Sequence, residues 1–208
     1  VWAVPSNTVN AEIDQKPWGI APAISEQIYT LEDALLFAGM QMVILRNADV
    51  IKIACQSLLT NISACIMTEK NGGYWLQTIY YPFHYFATYA KGTVLKTAST
   101  GPCYSCAEFD EVPYVDSLVV WNEEDQELVI FAVNRSEEEL QKAEVDLQDF
   151  EIQHVIESIC MTAENKKMTN MEQHDAVIPK KEKNVEIETG RCQITLQPLS
   201  FNMVRLAV

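Results

Sequence analysis

Polar side chains follow a short apolar run in the stretch ADVIKIACQSLLTNISACIMTE, residues 48–69. The apolar run at residues 50–54 surrounds one lysine and predicts a short buried strand. After it come five polar residues: Gln56, Ser57, Thr60, Asn61 and Ser63. Their amides and hydroxyls both donate and accept hydrogen bonds, so they either face a ligand or satisfy the backbone of a turn. Leu58 interrupts the polar run and has no hydrogen-bonding head.

The stretch CYSC places Cys103 and Cys106 in a lone CxxC arrangement. A structural zinc site needs four ligands, and no second CxxC or pair of histidines supplies the other two, so we expect a loop rather than a metal centre. The chain has six cysteines, far below the density of a disulfide scaffold, which favours a reducing cytoplasm. Cys55 and Cys65 lie in apolar context and are expected to be buried free thiols.

The composition favours a globular protein that neither binds nucleic acid nor spans a membrane. The chain has 208 residues, of which 48% are hydrophobic and 21% charged, enough for one large domain or two small ones. Its formal net charge of −14 repels phosphate backbones, so nucleic acid is not an expected partner. No run of 18 consecutive apolar residues occurs, so no membrane-spanning segment is expected.

Helical patterns lie on either side of the 50–54 run. Thr30 is a good N-cap, Asp33 follows it in a near-capping-box arrangement, and apolar residues then recur at helical spacing over 30–47. A second helical pattern covers 74–90, where Pro82 either kinks the helix or starts a separate segment. Helix, strand and helix in this order are typical of a parallel α/β sheet.

After Gly92 the pattern changes to that of short strands. Eight segments fit: 93–100, 117–122, 127–135, 143–147, 152–161, 185–189, 192–198 and 201–208. Short strands separated by turn residues, without helices between most of them, predict an antiparallel β-sandwich. The domain boundary is therefore expected near 91–92. Residues 162–183 have little periodicity and mixed charges, which predicts a long exposed loop.

The first residues, VWAVPSNTVNAE, contain no initiator Met and no signal-peptide pattern. Two helices and one strand cannot close an α/β domain by themselves. We therefore expect the chain to begin inside a larger fold whose other strands lie upstream.

Six blocks carry a family resemblance: TLEDAL, NADVIKIAC, IMTEKNG, QTIYYPF, VPYVDSLVVWNEEDQELVIFAVNR and LSFNMVRL. In this order they resemble the C-terminal part of the family 51 glycoside hydrolases, the α-L-arabinofuranosidases. The resemblance covers nearly the whole chain, and only 162–198 is generic. It implies an α/β plus all-β fold: residues 1–91 would be the last strand and helices of a (β/α)8 barrel, and 92–208 a jelly-roll-like antiparallel β-sandwich. Helix 30–47 would then be barrel helix seven, 50–54 strand eight and 74–90 helix eight.

The resemblance also implies where the catalytic groups lie. In this family the nucleophilic Glu ends strand seven, in a motif like Asp-Glu-Trp-Asn-Val-Trp, of which Val1 and Trp2 would be the tail. Both catalytic carboxylates are therefore expected upstream of residue 1, and none in this chain. Trp2 is expected to line the pocket wall beside the nucleophile. The alternative for Trp2 is a core residue that plugs the top of the barrel.

Active sites of such barrels lie at the C-terminal ends of the strands, so Gln56, Leu58 and Asn61 are the expected substrate-binding residues at the rim of the sugar pocket. The family usually has a Gln at the position of Leu58, where it bonds the arabinose. Leu cannot make that hydrogen bond, whose loss typically costs about 0.5–1.5 kcal/mol. Gln56 substitutes only if the loop is rearranged. Ala3, where the family often has an aromatic residue, is a second departure, so the exact substrate stays open.

The implied activity is that of a retaining α-L-arabinofuranosidase on terminal arabinofuranosyl residues of arabinan- or arabinoxylan-type glycans. Such enzymes use two carboxylates about 5–5.5 Å apart. No metal or organic cofactor is implied. The expected partners are an arabinose-containing oligo- or polysaccharide, the remainder of the barrel chain, and further copies in a homo-oligomer. The alternative is a non-catalytic carbohydrate-binding or structural β-sandwich, with Trp121 and Tyr114 as its candidate aromatic residues.

Overall fold

The structure, a computed structural model, describes residues 26–56, 58–147, 149–188 and 190–208. Within these ranges the helices are α1 (Leu31–Arg46) and α2 (Tyr80–Tyr89). The strands are β1 (Ile66–Thr68), β2 (Tyr74–Leu76), β3 (Thr93–Leu95), β4 (Cys103–Tyr104), β5 (Val112–Pro113), β6 (Val115–Asn122), β7 (Glu127–Asn134), β8 (Gln141–Asp146), β9 (His154–Met161), β10 (Lys180–Lys181), β11 (Val185–Glu188), β12 (Arg191–Leu196) and β13 (Ser200–Ala207).

Two antiparallel sheets contain most of the strand residues of the described chain. One has six strands in the order β10-β9-β13-β7-β6-β3, and the other has three in the order β11-β12-β8. Each of the eight segments expected after Gly92 overlaps one of these strands, so the predicted antiparallel sandwich is confirmed. Two small hairpins, β1–β2 and β4–β5, lie outside the sandwich sheets.

The six-stranded sheet is buried on both faces. In β7, Leu128, Ile130 and Ala132 belong to the hydrophobic core shared with the three-stranded sheet. The alternating residues Val129, Phe131 and Val133 belong to a second core, formed with α1 and α2. Because side chains alternate along a strand, the nearly continuous apolar run of β7 fits a strand that is covered on both sides. The molecule is therefore layered as helices, six-stranded sheet and three-stranded sheet.

Helix α1 begins and ends where its sequence indicates. The Thr30 hydroxyl accepts a hydrogen bond from the Asp33 amide, and the Asp33 carboxylate accepts one from the Thr30 amide, which completes a capping box. Arg46 in the last turn pairs with Asp116 of β6. The predicted helix over 30–47 is confirmed to within one residue at each end.

The second helix is shorter than expected. Helix α2 begins at Tyr80, with Pro82 in its first turn, where a missing backbone N–H leaves no bond unmade. Residues 74–76 form strand β2 instead, paired with β1. The helical prediction is wrong for this part because Asn71-Gly72-Gly73 makes a turn with positive φ at Asn71 and Gly72, and that turn folds the chain into a hairpin.

The strand predicted at residues 50–54 is absent. These residues are exposed and pair with no strand of the described chain, so the strand does not form within it. A parallel strand exists only through ladder hydrogen bonds to its neighbours, and the described residues supply none at this position. Cys55 is exposed as well, contrary to expectation, whereas Cys65 is buried.

The segment 162–183, predicted to be an exposed loop, contains buried residues that hydrogen-bond to other parts of the chain. The Asn170 side chain is fully buried; its amide donates to Leu76 O (3.0 Å) and Val177 O (3.1 Å), and its oxygen accepts from the Val177 amide (2.8 Å). The carbonyls of Met168 and Lys166 accept hydrogen bonds from the first two amides of α1, each at 2.9 Å. Carbonyls of this segment thus cap helix donors that would otherwise lack partners.

Candidate functional site

The loop that carries the expected rim residues is a compact turn. Asn61 and Ser63 have φ values of 64° and 48°, in the left-handed region that Asn tolerates best among residues with a side chain. The Asn61 amide donates to the Ile66 carbonyl at 2.8 Å and the Ile62 amide to the Thr60 carbonyl at 2.8 Å. The backbone therefore turns sharply between residues 60 and 66 and leads straight into hairpin β1–β2.

The structure brings three of the four expected substrate-binding residues into this loop. Gln56 is half-buried, and its Nε2 lies 3.5 Å from the carbonyl oxygen of Ser63. Leu58 is 50% exposed. The side-chain amide of Asn61 donates to Thr68 Oγ1 (3.0 Å), and its Oδ1 accepts from the backbone amide of Thr68 (2.8 Å). The Asn61 side chain therefore joins the loop to β1. Trp2 lies outside the described residues.

A fully buried glutamine fixes the base of this loop. Gln77 Nε2 donates to the carbonyls of Ala64 (2.8 Å) and Gln27 (2.9 Å), and its Oε1 accepts from the Tyr29 amide at 2.9 Å. The Ser63 hydroxyl donates to Gln27 Oε1 at 3.2 Å. One side chain thus ties the loop to the segment that enters α1. Sequence reasoning missed Gln77, since nothing local distinguishes it from a surface glutamine.

Hairpin β1–β2 extends the loop into a small two-stranded sheet. Thr68 faces Tyr74 across the strands, and Met67 faces Trp75. Trp75 is 7% exposed and stacks on His174 with ring centroids 5.5 Å apart, whereas Tyr74 is 69% exposed. One face of the hairpin is therefore packed and the other presents Thr68 and Tyr74. The Asn-Gly-Gly turn was the sequence signal for this hairpin.

An exposed apolar surface lies next to these polar groups. We define the apolar segment as residues 50–62 without Ser57. Its large apolar side chains are all exposed: Val50, Ile51, Ile53, Leu58, Leu59 and Ile62. Six such side chains within so short a stretch exceed the isolated exposed residues that are normal on a protein surface. The segment therefore has the composition of a surface made to contact another part of a protein.

The titratable groups behind the loop are held neutral at ordinary pH. Burial raises the pKa of the Cys65 thiol to about 11 and that of the Tyr81 phenol to about 12. Burial is also the main cause of the raised pKa of Tyr29. These groups lack the pKa near neutrality that an acid or base catalyst requires, so they suit packing and hydrogen bonding.

The described part of the chain holds neither a metal-ligand cluster nor a membrane-spanning helix. It contains no cluster of three or more His, Cys, Asp or Glu residues arranged to hold a metal ion. None of its helices is long and apolar enough to cross a membrane. Cys103 and Cys106 are both exposed on the hairpin that contains β4.

A separate groove of about 970 Å³ runs along the outer face of α1. Leu36, Met40 and Val43 form its apolar wall, and the opposite side includes Tyr104 and Arg135. It does not include the residues of the loop or of hairpin β1–β2. The groove therefore belongs to the surface of α1 and not to the candidate rim.

Comparison with known proteins defines the class. The chain matches the family described as the alpha-L-arabinofuranosidase C-terminal domain over residues 2–200. It is 40% identical over 205 residues to an intracellular exo-alpha-(1->5)-L-arabinofuranosidase of Halalkalibacterium halodurans. It is 38% identical over 205 residues to intracellular exo-alpha-(1->5)-L-arabinofuranosidase 1 of Bacillus subtilis. Each alignment covers 99% of this chain and 41% of the relative. The chain belongs to the α-L-arabinofuranosidase C-terminal domain family.

Solved structures agree on the fold. A family 51 α-L-arabinofuranosidase of Bifidobacterium longum superposes with a TM-score of 0.83 at 29% identity, covering 92% of this chain and 38% of that one. The Thermotoga maritima α-L-arabinofuranosidase, solved as an arabinose complex, superposes with a TM-score of 0.79, covering 92% and 41%; at 19% identity it shows the fold alone. The chain thus spans about two fifths of the length of the relatives it matches.

Proposed function

We propose that this chain is the C-terminal part of a retaining α-L-arabinofuranosidase that removes terminal arabinofuranosyl residues from arabinan- or arabinoxylan-type glycans. The carrying observation is the match of nearly the whole chain to the C-terminal two fifths of enzymes named for this activity. In this proposal the catalytic pair of glutamates lies upstream of residue 1. The relatives' names also support an intracellular, cytoplasmic location.

In this proposal residues 1–91 complete a (β/α)8 barrel and 92–208 form the accessory sandwich. The apolar segment supports this arrangement, because residues 50–54 have the composition of a barrel strand and lack ladder partners within the described chain. Once paired, they would end at Gln56, and the following loop would lie at the carboxyl edge of the barrel, where substrates bind.

The roles of the rim residues follow from that placement. Gln56 and Asn61 lie in the loop after the strand, and Trp2 is assigned to the pocket wall by the family resemblance. Asn61 is already bonded to Thr68, so only its remaining amide hydrogen is available to a sugar hydroxyl. Leu58 contributes an apolar contact where relatives in this family usually place a Gln. The catalytic step itself requires two carboxylates about 5–5.5 Å apart, one acting as nucleophile and one as acid and base.

A non-catalytic carbohydrate-binding sandwich has less support. Trp121 packs on Phe150 with ring centroids 4.9 Å apart, and Tyr114 packs on Tyr104 at 5.0 Å. A binding platform needs a ring face turned to solvent, and both rings are partly occupied by protein.

The test compares two proteins, the 208-residue chain and the complete polypeptide that carries it, on arabinotriose linked α-(1→5). We expect the complete protein to release arabinose, with proton NMR showing that the first-formed anomer retains the configuration of the substrate. We expect no release by the 208-residue chain above a buffer control. Turnover by the short chain, or an inverted first product from the complete protein, would contradict the proposal.

A further inference from the structure

Hairpin β1–β2 places an exposed aromatic ring beside the candidate rim. Tyr74 is 69% exposed although its neighbour Trp75 is 7% exposed. The difference arises from strand alternation, since Trp75 points to the packed side and Tyr74 to the opposite one. The strand that carries the ring is held by its neighbours: Trp75 stacks on His174, and Asn170 donates to the carbonyl of Leu76 at 3.0 Å.

The same face carries hydrogen-bonding groups at a fixed distance from the ring. Thr68 is the cross-strand partner of Tyr74, which sets their Cβ atoms about 4.5–5.5 Å apart. Asn61 contacts Thr68 through both ends of its amide, at 2.8 Å and 3.0 Å. Asn61, Thr68 and Tyr74 therefore form one patch that joins the loop to the hairpin. We call it the Tyr74 patch.

We propose that the Tyr74 patch binds the second sugar of the substrate, the unit that is released as the leaving group or as the shortened chain. This inference rests on the proposed function. An aromatic face bordered by an amide and a hydroxyl suits a sugar, whose C–H groups pack on the ring while its hydroxyls bond at the edge. An enzyme that removes terminal residues holds the terminal unit inside the pocket and the rest of the chain outside it. The Tyr74 patch adjoins the loop assigned to the rim, because Asn61 belongs to both.

Two substrates of matched chemistry separate this binding from catalysis. Methyl α-L-arabinofuranoside and α-(1→5)-arabinotriose both release an alkyl alcohol once the general acid has protonated the leaving oxygen, but only the second has a sugar beyond the cleaved bond. In the complete protein, Tyr74→Ala is expected to lower kcat/KM on arabinotriose about tenfold and to change kcat/KM on the methyl glycoside less than about twofold. Tyr74→Phe keeps the ring and is expected to retain most of the activity on both.

Phe109 supplies the matched control. It is 65% exposed, like Tyr74, but lies outside the loop and its hairpin, between strands β4 and β5. Phe109→Ala is expected to leave both substrates unaffected. Equal losses on both substrates with Tyr74→Ala, or no loss on either, would overturn the assignment of the Tyr74 patch. If the unmodified complete protein cleaves neither substrate, the proposed function fails instead, so the two failures are distinguishable.

Discussion

Strand β7 and the apolar segment are both apolar, and they differ in what covers them. In β7 one set of side chains packs under the helices and the alternating set packs on the three-stranded sheet. In the apolar segment every large apolar side chain is exposed. The cover of β7 comes from elements of this chain, whereas residues 50–54 of the apolar segment have the composition of a strand and no strand partner in the described chain. An apolar sequence thus predicts that a segment will be buried. Whether it is buried within this chain depends on whether the elements that cover it belong to this chain.

The largest expected effect comes from removing the helices. Sequence analysis places a boundary at 91–92, which suggests that 92–208 folds alone. The structure argues otherwise, because Val129, Phe131 and Phe201 on the helix side of the six-stranded sheet would face water. We expect residues 92–208 alone to aggregate, since exposed apolar patches of this kind drive association. Size-exclusion chromatography and thermal unfolding provide the measurement, and a monomer with a cooperative transition would contradict the layered account.

A pair of single substitutions compares the two regions directly. Phe131 is fully buried and stacks on Phe86 with ring centroids 4.2 Å apart, so Phe131→Ala is expected to lower the free energy of unfolding by about 3–5 kcal/mol. Ile53 is 82% exposed, and Ile53→Ala in the same 208-residue chain is expected to change it by less than about 0.5 kcal/mol. Urea denaturation of both variants checks this. Similar losses from the two would show that the apolar segment is packed in the isolated chain.

The loop next to the apolar segment depends on one buried side chain. Gln77→Leu removes the partner of the Ala64 and Gln27 carbonyls and of the Tyr29 amide. We expect the free energy of unfolding to fall by about 1–3 kcal/mol because buried polar groups are left without partners. Gln153→Leu, at an exposed glutamine, is the control and is expected to be neutral. Equal stability of the two variants would show that Gln77 does not hold the loop.

The smallest expected effect concerns Leu58. In the complete protein Leu58→Gln is expected to raise kcat/KM on an arabinofuranoside several-fold, since a regained sugar hydrogen bond is worth about 0.5–1.5 kcal/mol. The side chain is half exposed, so the new amide finds water and the melting temperature should not change. Leu58→Met, which adds no hydrogen-bonding head, serves as the control. A fall in melting temperature without a kinetic gain would remove Leu58 from the sugar pocket.

Most strands of the sandwich were predicted because they have a local signal, whereas β10 lies in 162–183, which was predicted to be a loop. Strands β6, β7 and β9 are long, rich in β-branched residues and bounded by turn residues, and the capping box of α1 is readable from Thr30 and Asp33 alone. Which strands α2 covers was not readable from the sequence, because the contact between α2 and the sheet joins residues far apart in the chain.

The candidate site was less readable, for physical reasons that particular residues illustrate. Family resemblance marked Gln56, Leu58 and Asn61, but the bond from Asn61 to Thr68 depends on the left-handed turn between them. Tyr74 and Trp75 were read as one helical pattern because dense aromatics fit either period, and the Asn-Gly-Gly turn decided for a hairpin. The strand at 50–54 was predicted from composition, which carries no information about where its neighbours are.

The central claim is that the apolar segment contacts the rest of an arabinofuranosidase, and Cys55 reports on it. At pH 8, iodoacetamide should alkylate the exposed Cys55, Cys103 and Cys106 of the 208-residue chain. The remaining thiols, Cys65, Cys160 and Cys192, have pKa values raised to about 11 by burial and should react slowly. In the complete polypeptide we predict that Cys55 becomes protected while Cys103 and Cys106 react as before. Labelling of Cys55 at the same rate in both proteins would contradict the claim.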